Sequence, residues 1–288
     1  MGRTAPVRIE TMSVRADQPL DEETRCAHRR KRRPRLNVVG IFGELLITAG
    51  ILVLAFLGWQ LWWNDMIMAG QQSRAAAEIS QTWIDDDLSS NEPAPAAPEA
   101  SATVEPAPVD FGEPVVREAP SNAETFAVLY VPRFGEDYHR SIAEGIGSEV
   151  LNSSRSGIGH YPDTQMPGEV GNFAVAAHRS ANGGGMHLIN ELQLGDAIYV
   201  QTADGYYTYR FRDLEYVAPT AVDVIAPVPH NPDAVPADRF ITLTSCNPLL
   251  STAERIIAYG VLEAWQPTSA GPPAEVATVI NAQAQAQG

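Results

Sequence analysis

The stretch RFITLTSCNPLLSTAERIIAYGVLEAW, residues 239–265, holds two β-prone runs around a turn. RFITLTSC reads as a β-strand that runs into a cysteine. NPLLSTAE carries turn chemistry, and RIIAYGVLEAW resumes the strand pattern. Working outward, similar runs recur as TFAVLYVPRF (125–134), NFAVAAH (172–178), AIYVQTA (197–203) and YYTYRFRDLEYV (206–217). Gly, Pro, Asn and Asp separate them. SEVLNSS and GGMHLINELQLGD are the only helix candidates in this region, and both are short. Many strands with few helices predict an all-β domain over residues 124–267, an antiparallel sandwich or a closed barrel.

Upstream, LNVVGIFGELLITAGILVLAFLGWQLWW (36–63) has no charge from Leu45 to Trp63. About 20 residues at 1.5 Å each cover roughly 30 Å, the hydrocarbon thickness of a bilayer. Trp59, Trp62 and Trp63 gather at one end, as aromatics do at a membrane interface. A cleaved signal peptide would have a shorter leading region and small residues at a cleavage site. The reading is therefore a transmembrane helix over 36–64. The basic cluster HRRKRRPR (28–35) keeps the tail of residues 1–35 in the cytoplasm and the rest outside, a single-pass type II arrangement.

The net charge of −15 is unevenly spread. Ten Arg and Lys face five acids before residue 36, which leaves ten Arg against thirty acids beyond it. So acidic a remainder excludes a nucleic-acid partner, which requires a basic face. Residues 65–123 contain a polar, helix-compatible stretch, QQSRAAAEISQTWIDDD, and then a Pro/Ala/Glu-rich segment. They are expected to form an extended linker. With residues 70–123 counted as coil, its root-mean-square length would be roughly 40 Å. Residues 268–288 are expected to be a disordered tail. No metal-ligand spacing and no Gly-rich phosphate loop is present, so no cofactor is expected.

The two cysteines, Cys26 and Cys246, fall on opposite sides of the membrane in this topology and cannot pair within one chain. Cys246 is then an inert buried thiol, half of an intermolecular bridge, or a reactive nucleophile. A nucleophilic cysteine needs a base or cation nearby and a donor for the oxyanion it creates. The region beyond the membrane has no lysine, so His or Arg must serve. Among His139, His160, His178, His187 and His230, His178 ends an apolar run and opens into a polar loop. His160, in SGIGHYPD, reads as lying in a turn. Arg255 follows Cys246 by nine positions across a turn, so pairing of the two runs would bring guanidinium and thiol together. The plainer readings are a solvated histidine and a surface arginine.

TLTSC (242–246) resembles the Thr-Leu-x-Thr-Cys signature of sortases, transpeptidases of Gram-positive surfaces. VPRFG (131–135) is similar to the family's first strand, and GIGHYPDTQMPGEVGNFAVAAHR (157–179) to the segment leading to its histidine. CNPLLSTAER (246–255) resembles the interval from its cysteine to its arginine. The membrane stretch and that short interval look most like class E sortases of actinobacteria. Ala177 stands where the family shows Gly, Ser245 where it shows Thr, and Asn247 where class E often shows His. The resemblance implies an eight-stranded closed β-barrel with His178, Cys246 and Arg255 as catalytic residues. It also implies no required cofactor, and as partners surface proteins with C-terminal sorting signals and a peptidoglycan precursor amine. A non-catalytic module that only binds sorting peptides or wall components is the alternative.

Overall fold

The computed structural model describes residues 38–59, 63–90 and 110–287. The tail expected to be cytoplasmic, with Cys26, and residues 91–109 of the expected linker lie outside the described residues. Helix α1 (Val38–Gly58) is 21 residues long, with a mean hydropathy of 2.3 and no buried residue, long and apolar enough to cross a bilayer.

Eight strands close into a barrel: β1 (Thr125–Tyr130), β2 (His139–Glu144), β3 (Ile158–His160), β4 (Gly171–Ala177), β5 (Ala197–Gln201), β6 (Gly205–Val217), β7 (Arg239–Asn247) and β8 (Glu254–Pro267). Their order around it is β1-β2-β3-β4-β7-β8-β6-β5. The β2–β3 and β4–β7 pairs are parallel and the rest antiparallel, so the barrel is mixed. Period-two alternation sends Leu129, Ile142, Val175, Val200, Ile241 and Ile256 into one interior cluster. Closure leaves no sheet edge exposed for mispairing. Of the two helix candidates, SEVLNSS supplies the single turn α3 (Ser148–Leu151), and GGMHLINELQLGD only a 3-10 turn at Ile189–Glu191.

The opposite face of β1 and β5 is also buried. Helix α2 (Asn64–Ser90) lies against Val128, Tyr130, Tyr199 and Tyr206. Ala76, Ala77 and Ser80 line its buried stripe, and their small size allows close approach to the sheet. Ser80 Oγ and the Tyr130 hydroxyl both donate to Gln201 Oε1, at 2.7 and 2.9 Å. Residues 64–90 are thus no part of an extended linker. Alanine-rich composition contributes little hydrophobicity, yet alanine is the best helix former, and a smooth face packs without large side chains. Residues 110–123 also lie on the barrel, where Arg117 grips Asp204 through two bonds of 2.6 and 2.7 Å. Nor is the C-terminal end a featureless tail. Helix α4 (Ala274–Gln287) buries Val276 and Ile280 beside α2, and Gln81 Nε2 donates to the Ile280 carbonyl at 3.0 Å.

Candidate active site

Three neighbouring strands bring His178, Cys246 and Arg255 to one end of the barrel. In the antiparallel β7–β8 ladder Cys246 stands directly opposite Arg255, and Asn247 opposite Glu254. Strand β4 runs parallel to β7 with Ala176 opposite Thr244, and Ser245 Oγ donates to the Ala177 carbonyl at 2.8 Å. His178, the next residue, therefore leaves β4 at the level where Cys246 ends the buried part of β7. The backbone ladders fix this meeting, because each side chain sits at or beside a paired position.

Cys246 is a free thiol, partly exposed. The Arg255 Nη1 donates to the carbonyls of Thr252 and Glu254 at 3.2 and 3.1 Å. Those bonds anchor one corner of the guanidinium, and its other nitrogens have no partner among the described residues. His178 Nε2 donates to Asn152 Oδ1 at 2.8 Å, which leaves Nδ1 as the nitrogen able to exchange a proton. Partial burial lowers the His178 pKa below the ordinary imidazole value, while the negative charge of Asp65 opposes that shift.

Sequence reasoning missed several supports of these residues. Arg179, buried next to His178, donates from Nη1 to Asn247 Oδ1 and from Nη2 to Asn190 Oδ1 at 2.8 Å. Asn247 in turn donates to Glu254 Oε2 at 3.0 Å. Arg179 was within the motif read from the sequence, but its contact with the residue after Cys246 was not legible there. Asn152 has no motif at all. An apolar cavity of about 730 Å³ lies beside the site, lined in part by Trp63, Met66, Ser180, His187, Leu249 and Leu250. None of the three candidate residues lines it.

Of the remaining histidines, His187 stays in the loop that follows His178, its Nδ1 3.0 Å from the Arg179 carbonyl, while His139, His160 and His230 lie elsewhere. His160 is not in a turn but ends β3, fully buried, with Nδ1 at 2.6 Å from Glu144 Oε2. Its Nε2 faces Thr164 Oγ1 at 2.9 Å. His230 sits between Asp223 and Glu215 at 2.8 and 2.5 Å. Among the described residues no cluster of His, Cys, Asp and Glu is arranged to hold a metal.

A closed mixed barrel of eight strands in this order is a known fold, and by comparison the chain belongs to the sortase family. Residues 129–263 match its sortase domain. Sortase SrtE1 of Streptomyces coelicolor is 32% identical over 263 residues, spanning 88% of this chain and 66% of the relative, just under two thirds of its length. The SrtA sortase from Actinomyces oris superposes with a TM-score of 0.55 at 40% identity, covering 58% of this chain and 95% of that one. Sortase E1 from S. coelicolor, solved with a tripeptide in its active site, gives 0.50 at 35% identity, covering 56% of this chain and 99% of the other.

Proposed function

We propose that this chain is a membrane-anchored cysteine transpeptidase with its catalytic barrel outside the cell. It would cleave a C-terminal sorting motif, Leu-Pro-x-Thr-Gly or Leu-Ala-x-Thr-Gly, between Thr and Gly and pass the protein to a peptidoglycan amine. The in-register pairing of Cys246 with Arg255 carries this reading, since it joins a nucleophile to a fixed cation across one rung of the ladder. The Cys246 thiolate attacks the Thr carbonyl carbon, and Arg255 donates to the oxyanion that forms. The C–N bond then breaks, the His178 imidazolium gives its proton to the departing glycine amine, and a thioester remains. An incoming amine attacks that thioester, His178 takes back a proton, and the thiolate leaves.

The membrane orientation rests on the basic cluster before α1. Fluorogenic peptides with Pro or Ala at the second motif position test the reading, together with hydroxylamine as a surrogate amine. Cleavage between Thr and Gly with formation of the hydroxamate is expected. Peptide binding without cleavage would leave a sorting-peptide receptor instead.

A further inference from the structure

The polar residues at the start of α2 are not accounted for by packing. Asp65 accepts hydrogen bonds from the backbone N–H groups of Ala181 and Gly183, at 2.8 and 3.5 Å. These belong to the loop that leaves His178, where residues 181–184 all have positive φ (79°, 51°, 89° and 53°). Two of the four are not glycine, so the loop holds a conformation that needs outside support. Two turns along α2, Gln72 is fully buried, and its Nε2 donates to the carbonyls of both Ser153 and Asn182, at 2.8 and 3.0 Å. Its seat is shaped for it. A Cβ at Gly157 or Gly183 would meet the Gln72 amide at 2.4 Å.

Gln72 therefore ties together the two loops that meet at the histidine. Asn152, next to Ser153, accepts from His178 Nε2 at 2.8 Å and from Asn182 Nδ2 at 3.0 Å. The polar chain runs from α2 through two loop carbonyls and one side-chain amide to the imidazole. We propose that Asp65 and Gln72, upstream of the residues matched to the sortase domain, are positioning residues for His178. Gln72 sets the ring through Asn152, and Asp65 holds the loop while placing a negative charge near the ring. A helix that served only as a cover would need its small-residue buried face and nothing from these two side chains.

The charged and titratable groups near His178 are Asp65 from α2, Cys246 from β7, Arg255 from β8 and, in its own loop, His187, whose Nδ1 lies 3.0 Å from the Arg179 carbonyl, with the neighbouring Arg179 turned to Asn247. Asp65 favours the protonated ring, so its neutralisation lowers the midpoint of His178.

This inference rests on the transpeptidase reading only in its kinetic arm. The full-length chain in detergent micelles is titrated by histidine-ring NMR, and peptide cleavage is measured in parallel. In Asp65→Asn the His178 midpoint should fall, since the negative charge that favours the protonated ring is gone. kcat should drop about three- to tenfold with KM within about twofold, and Asp65→Glu should restore most of both. Gln72→Leu should reduce kcat and shift the His178 ring resonances even where the chain remains folded. An unmoved His178 midpoint in Asp65→Asn overturns the role of Asp65. A Gln72→Leu variant that loses only thermal stability, with its ring signals and kcat unchanged, overturns that of Gln72. If the unmodified chain cleaves no peptide, the catalytic reading fails, while the titration still decides whether α2 governs the histidine.

Discussion

Cys246 and Arg255, nine residues apart in sequence, are direct cross-strand partners one step from the end of the β7–β8 ladder. Opposed α-carbons in an antiparallel pair are about 4.5–5.5 Å apart, so the guanidinium is committed to the thiol's surroundings by backbone pairing. Lysine would keep the charge but lose the planar fork. If Arg255 donates directly to the oxyanion, Arg255→Lys should behave nearly as badly as Arg255→Ala. The loss should be about 2.7–4 kcal/mol, roughly a hundred- to thousandfold, and mainly in kcat. A Lys variant within about tenfold of wild type, under single-turnover conditions, would reduce Arg255 to a supplier of charge.

The thiol and the membrane orientation can be examined together. Cys246→Ala should abolish cleavage with the fold retained, and Cys26→Ala should leave the rate unchanged. On intact cells a membrane-impermeant thiol reagent should label Cys246 and spare Cys26. Labelling of Cys26 alone would reverse the topology.

Two histidines should separate into different roles. His178→Ala should remove activity while the thermal midpoint hardly moves, because the ring is half-exposed and bonded through one nitrogen. His160 is fully buried against Glu144, and removing one member of such a pair leaves the other stranded. His160→Ala should therefore cost about 1–3 kcal/mol of stability, the penalty of leaving a buried hydrogen-bond partner unpaired. Its residual activity, corrected for the folded fraction measured by denaturation, should stay near wild type. The reverse ranking would move the general acid to His160.

A pH-dependent clamp lies on the outer surface. His230 bridges Asp223 and Glu215, and the Tyr259 hydroxyl also donates to Glu215 at 2.5 Å. These partners raise the His230 pKa, and His230 lowers that of Asp223. The histidine's contribution is therefore complete below its unfolded pKa of about 6.5 and disappears as pH rises through its raised folded value. That of Asp223 is present above about pH 3.9 and is lost as pH falls through its depressed value. Exposure keeps the effect small. The melting temperature of His230→Gln should lie below wild type near pH 5, and the gap should close in alkaline buffer. A gap independent of pH would assign the loss to packing.

The barrel was legible because its strands alternate. The alternation in TFAVLYVPRF and the short β-prone runs such as RFITLTSC and AIYVQTA, each bounded by turn residues, point to strands buried on one face or both. The two parallel pairings were not legible, since pairing direction depends on where the chain crosses rather than on side-chain pattern. Helix α2 was half seen. Its composition suited a helix, but Ala76, Ala77 and Ser80 gave no apolar stripe from which docking could be read. At the site, His178, Cys246 and Arg255 stood out because each sits in a motif beside a strand end. Asp65, Gln72 and Asn152 did not, because they act on backbone groups or single amides brought close only by the fold.

The docking of α2 changes what determines the reach of the catalytic site. Only residues 59–63 separate the end of α1 from the start of α2, and a stretch that short extends at most about 20 Å. The Pro/Ala/Glu-rich segment 91–109 instead connects two parts of the same body, from the end of α2 to Asp110. Doubling the length of a connection between fixed ends costs only about 0.6 kcal/mol. The tether between α1 and the start of α2 is therefore no longer than that handful of residues. Insertions between Gly58 and Asn64 would lengthen that tether, and insertions in 91–109 would leave it unchanged.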